Sequence, residues 1–417
     1  MAPFFPRFLP LLLLLLPTAL REYLPAASNR RASDDAVGDE LHPIRAGGAA
    51  HRRVPAVDAA LWQNCSDLPV HRYVACFMEQ MSLVYDPDAN EFRNLPGVET
   101  RVRNFGSSMA FHRNPEHPEW CLAALRRELE RLGYRDGVTL FGAAYDFRHA
   151  PPLPGRPSPV YARYFRQLTA LVEDASGSRK QQRKVILFGH SFGGMVALEF
   201  ARAAPAAWRD RYIKHLVLTA PLPASGFVKS VKDFNSGSDM LYVPTATSLS
   251  LRPMWRSFET AIATFPSPAV FGDDGDKPLV ITKRRNYTAR DMADLLADAG
   301  AAHAVEPFRR RELPKPRYFE PPMVPVTCVA GVGSDTPEQL VYWDGDFDAE
   351  PEVVYGDGDG TINLVSMLAF DDDMRREPAQ RKLYKSVKVH GVQHSNIVTQ
   401  EWSLKLVIQE ILEANRL

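Results

Sequence analysis

The sequence predicts an α/β fold in which a mostly parallel sheet carries helices on both faces. Three observations predict it. Several apolar runs of strand length show no polar face, as strands covered on both sides do. Between them lie segments whose apolar residues recur at helical spacing. One apolar run stops at a serine fenced by glycines and resumes with the helical period. Strands alternating with helices imply a parallel sheet with its crossovers packed on both faces.

The elements follow along the 417 residues. An apolar run from Phe8 to Leu20, with Arg7 before it and Arg21-Glu22 after it, has the layout of a secretory leader and is short for a membrane span. A signal peptide is therefore expected over residues 1–27, with Ala19 and Ala26-Ala27 as small residues for cleavage. Residues 28–60 are rich in Ala, Arg, Asp and Gly without periodicity, and read as poorly ordered. A first core part is expected over 61–221, an inserted cap or lid over 222–321, and a second core part over 322–417.

Within the core, Met81–Pro87 reads as a strand ending at a turn. Leu122, Leu125, Leu129 and Leu132 mark a helical face. Val138–Arg148 reads as a strand running into a loop, and Tyr161, Phe165, Leu168, Leu171 and Val172 as a second helical face. Ile213–Pro221, Val324–Val332 and Ser386–Val392 are further strands. Leu404, Val407, Ile408, Ile411 and Leu412 place a core-packing helix at the end.

Composition narrows the function. Fifty Lys and Arg balance fifty Asp and Glu, so no basic excess points to nucleic acid. No metal cluster or nucleotide motif stands out, and no cofactor is expected. Two sequons, at Asn64 and Asn286, suit a secretory route. An oxidising compartment permits a Cys65–Cys76 bridge; buried free thiols are the alternative.

The serine run is "KVILFGHSFGGMVALEF", with Gly189-His190-Ser191-Phe192-Gly193 at its centre. Strand, serine, helix is what a nucleophile elbow requires. The glycines keep Cβ atoms out of a crowded crossing, and the helix N-terminus faces developing negative charge. A phosphate loop would need a Lys after the glycines or a different glycine spacing, and has neither here.

A serine hydroxyl needs a base, and the base an orienting acid, in the chain order Ser, Asp or Glu, His. The acid candidates are Asp357 and Asp359, in a glycine turn after the apolar Val353-Val354-Tyr355. A calcium loop there is disfavoured, because Thr361 and Ile362 break the alternation of oxygen ligands. The base candidates are His394, in a loop past a strand and a glycine, and His390, at the strand end.

These residues resemble the lecithin:cholesterol acyltransferase family, nearest its plant like-1 type and related to lysosomal phospholipase A2. "LPGVETRVRNFGS", "GAAYDFRHAP", "GHSFGG", "NYTARDMADLLADAG", "VPVTCVAGVGSDTPEQLVYWDGDF", "YGDGDGTINLVS" and "GVQHSN" carry the resemblance over roughly residues 80–400. It implies an α/β-hydrolase fold with a cap and lid over a lipid site. It implies Ser191 as nucleophile, Asp359 rather than Asp357 as acid, His394 as base and the backbone N–H of Phe192 as an oxyanion donor. It further implies removal of a fatty acyl group from a phospholipid at a membrane or lipoprotein-like surface, and transfer to a sterol, another alcohol or water. Cys76 matches the family's second lid cysteine, with Cys65 a substitute for the first.

The chain departs from the family near its start. Leu41–Arg53 ("LHPIRAGGAAHRR") stands where an apolar strand and a Val-Pro-Gly turn would supply the second oxyanion donor. Ala220-Pro221-Leu222-Pro223-Ala224 lacks the family's Trp, and Arg101–Gly106 replaces an Arg-Val-Pro-x-Phe-Gly stretch. A weakened or inactive lipid-binding homologue is therefore the alternative expectation.

Overall fold

Six parallel strands form the central sheet of a computed structural model that describes residues 11–14, 41–45, 70–102, 104–111, 122–153, 156–177, 183–221, 225–238, 246–272, 277–313, 315 and 320–416. They are β1 (Leu11–Leu14), β2 (Leu140–Gly142), β3 (Val185–His190), β4 (Ile213–Thr219), β5 (Val326–Val332) and β6 (Tyr384–His390). Their order across the sheet is β6-β5-β4-β3-β1-β2. The helices used below are α1 (Ala123–Arg131), α2 (Pro159–Ser176), α3 (Phe192–Ala203), α4 (Leu364–Arg376) and α5 (Glu401–Arg416).

Side chains alternate across a strand, and in β3, β4 and β5 both faces are buried. Leu187, Leu216, Leu218, Cys328 and Ala330 face one hydrophobic cluster, while Ile186, Phe188, Val217 and Val329 face the other. The first cluster is closed by Tyr161, Leu168 and Val172 of α2, Val196 and Phe200 of α3, and Met367, Phe370 and Met374 of α4. The second is closed by Leu125 and Leu129 of α1 and by Leu404, Val407 and Ile411 of α5. This two-sided cover explains why the central strands read as unbroken apolar runs.

Helix ends follow local chemistry. At α2, Ser158 accepts a hydrogen bond from Tyr161 N–H, Pro159 takes the first helical position, and Gly177 ends the helix at φ 81°. The expected helical faces are met in part. Tyr164 joins the buried face of α2, and Phe165 and Leu171 pack only at its margin. Leu132 is 41% exposed, because α1 ends at Arg131 and Leu132 caps it rather than extending its face.

The flank beyond β3 differs from expectation. Leu11–Leu14, inside the run with the layout of a secretory leader, pairs in parallel with both β2 and β3; Leu12 lies opposite Phe141 on one side and Leu187 on the other. Leu41–Arg45, at the place of the family's turn, pairs antiparallel with Val98–Val102 in a separate two-stranded sheet.

The loop after β2 is anchored by charge. The Arg148 side chain is fully buried and donates to Asp146, Met81 O, Asn94 Oδ1 and Thr100 Oγ1. Burial raises the Asp146 pKa, but Arg148 and His149 more than offset this and hold it at about 2. The described residues of 222–321 include short helices, among them Val228–Ser236, Ser248–Arg256 and Met292–Asp298, and small strands. Two of these, Val280–Ile281 and Asn286–Tyr287, join Thr336–Val341 and Glu352–Gly356 in a four-stranded sheet.

Cys76 is disulfide-bonded. Its expected partner Cys65 and the sequon residue Asn64 lie outside the described residues. Among the described residues no helix is long and apolar enough to cross a membrane.

Candidate active site

The carboxyl edge of the central sheet collects the reactive side chains. Ser191 sits between β3 and α3 with φ 55° and ψ −127°, a left-handed conformation that costs a serine of order 1–3 kcal/mol. The surroundings impose it. A Cβ on Gly189 would lie 2.6 Å from Gly193 O, and one on Gly194 would lie 2.8 Å from Pro221 Cβ. Ser191 N–H donates to Thr219 O at 2.9 Å, and Gly194 N–H donates to Ser191 O at 2.9 Å. Ser191 is 6% exposed. Phe192 opens α3, so its N–H belongs to the first turn, whose amides have no partner within the helix.

Asp359 and His394 arrive from separate loops. Asp359 is fully buried in the turn after Glu352–Gly356. Its Oδ1 accepts from Thr361 N–H at 3.0 Å and Ile362 N–H at 2.7 Å, leaving Oδ2 for the imidazole. His394 lies in the loop between β6 and α5, and its backbone N–H donates to Asp359 O at 2.7 Å. Gly331 on β5 makes room for both loops: a Cβ there would meet Val392 O at 2.1 Å and Asp359 Cβ at 3.2 Å.

The three side chains form one hydrogen-bonded line. His394 Nδ1 is 2.8 Å from Asp359 Oδ2, and His394 Nε2 is 2.7 Å from Ser191 Oγ. A carboxylate on Nδ1 sets the tautomer whose Nε2 accepts a hydroxyl proton. Such a line can take the proton from a serine as its oxygen attacks a carbonyl carbon.

The rival candidates point elsewhere. Asp357 is exposed and accepts from Gly333 N–H at 2.7 Å, and His390, the last residue of β6, is exposed. Sequence reasoning missed two residues beside the line. His190 is buried, with Nδ1 3.1 Å from Thr219 Oγ1 and its ring 5.3 Å from the His394 ring. Burial first, and then the nearby His394, push the His190 pKa down to about 3, against an opposing hydrogen bond to Thr219. Thr219 ends an apolar strand, and nothing local marks it. Among the described residues no three His, Cys, Asp or Glu side chains gather to hold a metal ion.

A serine on a strand-to-helix turn at the edge of a parallel sheet is the α/β-hydrolase arrangement. A model of the family lecithin:cholesterol acyltransferase matches residues 58–306, more than half the chain and including Ser191. The chain is 38% identical over 358 residues to lecithin-cholesterol acyltransferase-like 1 of Arabidopsis thaliana, covering 84% of this chain and 79% of that protein. It is 30% identical over 311 residues to lysosomal phospholipase A and acyltransferase of Bos taurus, covering 74% of this chain and 72% of that one. It is 30% identical over 352 residues to phosphatidylcholine-sterol acyltransferase of Gallus gallus, covering 83% and 80%. Together these support an acyltransferase or phospholipase acting on lipid. On the span of the family match and the identity to its members, the chain belongs to the lecithin:cholesterol acyltransferase family.

Proposed function

We propose that the protein cleaves a fatty acyl group from a glycerophospholipid and transfers it through an acyl-Ser191 intermediate. The observation that carries the reading is the Asp359–His394–Ser191 line, at 2.8 and 2.7 Å. Ser191 Oγ attacks the ester carbonyl while His394 Nε2 takes its proton. The oxyanion receives the Phe192 N–H and the α3 N-terminus. His394 then returns the proton to the departing lysophospholipid oxygen, leaving the acyl group on Ser191. In the second half, His394 deprotonates a sterol, another alcohol or water, which attacks the acyl carbonyl and frees Ser191. Asp359 holds the imidazole and stabilises its cation throughout. The 222–321 insertion serves as the cap; a pocket that excluded water would favour alcohol over water.

The secretory route belongs to the same proposal. Its supports are the disulfide at Cys76 and the exposed Asn286 in its sequon. A second reading, a weakened or inactive lipid-binding homologue, draws on one observation. Leu41–Arg45 lies in a separate sheet, so the family's second oxyanion donor is not delivered from there. Loss of one such donor costs about 10²–10³ in rate.

The test uses the purified protein and Ser191→Ala on vesicles of acyl-labelled phosphatidylcholine, with and without sterol. Serine-dependent steryl ester is expected of a transferase, and serine-dependent free fatty acid alone of a phospholipase. Equal product from both proteins overturns the catalytic reading in favour of the binding homologue.

A further inference from the structure

We infer that His190 is a positioning residue for His394: a buried imidazole, keyed by Thr219, against which the base is held. The inference rests on the reading of His394 as general base.

The geometry has three parts. His190 directly precedes Ser191, so its backbone shares the strained elbow. Its ring is buried and lies 5.3 Å from the His394 ring, centroid to centroid, tilted by 39°. Its Nδ1 is 3.1 Å from Thr219 Oγ1, and Thr219 is itself fully buried. Thr219 also accepts the Ser191 N–H through its backbone carbonyl, so one residue at the end of β4 fixes both the serine backbone and the ring beside the base.

The chemistry asks for this arrangement. His394 becomes a cation when it takes the serine proton. A neighbour that shared that proton or competed for a charge would oppose the step. Among the described residues, the titratable group recorded beside His190 is His394, and those recorded beside His394 are Asp359 and His190. Burial keeps His190 neutral well below neutral pH, so its ring meets the developing imidazolium as an uncharged wall. The wall excludes water from one face of His394 and limits ring rotation, which would carry Nε2 away from Ser191 Oγ. A misplacement of this kind reduces turnover more than it reduces substrate binding.

The experiment measures kcat, KM and the acid limb of kcat/KM for five variants on a short-chain chromogenic ester and on phosphatidylcholine vesicles. Ser191→Ala and His394→Ala test the underlying reading, and both abolish turnover if it holds. His190→Ala is expected to lower kcat by about 10- to 100-fold, less than the 10²–10⁴ that a general base contributes, with KM little changed. Its acid limb moves to higher pH, because water reaching His394 favours the cation. His190→Phe, which keeps the wall, retains more activity than His190→Ala. Thr219→Val, which removes only the key, lowers kcat in the same direction and carries the test if His190→Ala does not fold. With turnover abolished in the first two variants, a wild-type kcat and an unmoved acid limb in His190→Ala, or in Thr219→Val, overturn the positioning role alone. Full activity in Ser191→Ala or His394→Ala overturns the triad reading and this inference with it.

Discussion

The central sheet has two unequal halves. From β3 through β6, four strands each deliver a residue to the candidate site or to the loop that holds it: Ser191 after β3, Thr219 at the end of β4, Gly331 in β5 and His394 after β6. These strands are long; β5 and β6 pair over seven residues. On the other flank β1 and β2 pair over three, and β1 comes from residues remote in sequence from every strand beside it. The difference teaches where specificity resides. β3, β4 and β5, long and buried on both faces, specify themselves through burial, whereas a short slot beside them can be met by a distant apolar segment.

The largest expected effect lies in the long-stranded half. Asp359→Asn should lower kcat by about 10⁴-fold, because the amide favours the wrong imidazole tautomer while the geometry stays intact. Steady-state kinetics on a soluble ester, with near-ultraviolet circular dichroism as a fold control, measures it; a wild-type kcat removes Asp359 from the site.

Acid provides the next test. His190 and His215 are buried and mainly by that burial have pKa values lowered to about 3 and about 4 from the ordinary 6.5 of a histidine. The unfolded chain therefore binds more protons below 6.5, and the stability held above that value is lost as pH falls towards 3. The denaturation midpoint should drop across this window, and drop less in His190→Phe. Equal pH dependence in the two proteins would break the assignment.

Gly331→Ala sharpens the comparison within the same half. Its Cβ would stand 2.1 Å from Val392 O, so the base loop must move. A stability loss of about 1–3 kcal/mol is expected from such overpacking, with a fall in kcat beyond it. Denaturant unfolding and kinetics on one preparation separate the two.

Leu12→Pro probes the other half. It removes a ladder N–H between β2 and β3, and each buried carbonyl left without its donor costs about 1–3 kcal/mol. The amino-terminal sequence of the purified protein is read alongside. A folded, active protein beginning beyond Leu14 would assign the slot to another segment and these leucines to the leader. The smallest effect is expected at Leu132→Ala, within about 0.5 kcal/mol for an exposed surface position, where Leu129→Ala should cost about 2–5 kcal/mol.

The elbow was legible because its causes are local. An apolar strand, a serine between glycines and an apolar helix occur within seventeen consecutive residues, Lys184 to Phe200. The residues' own pattern left Asp357 beside Asp359 and His390 beside His394, and the resemblance favoured Asp359 and His394; which side chains meet depends on which face inward. That is a property of two loops meeting over Gly331, and composition does not encode it. Leu132 misled because periodicity runs past a helix end that only the chain's turn at Gly133 defines.

By itself, the sequence determined the layered α/β architecture, the serine elbow and the family, since burial patterns and steric needs are written in neighbouring residues. Tertiary structure alone decided the pairing of His190 with His394 through Thr219, the 2.8 Å approach of Asp359 to His394, and the use of Leu11–Leu14 beside the serine strand. Each of these joins residues far apart in the chain, and such contacts exist only once the sheet has brought its strand ends to one edge.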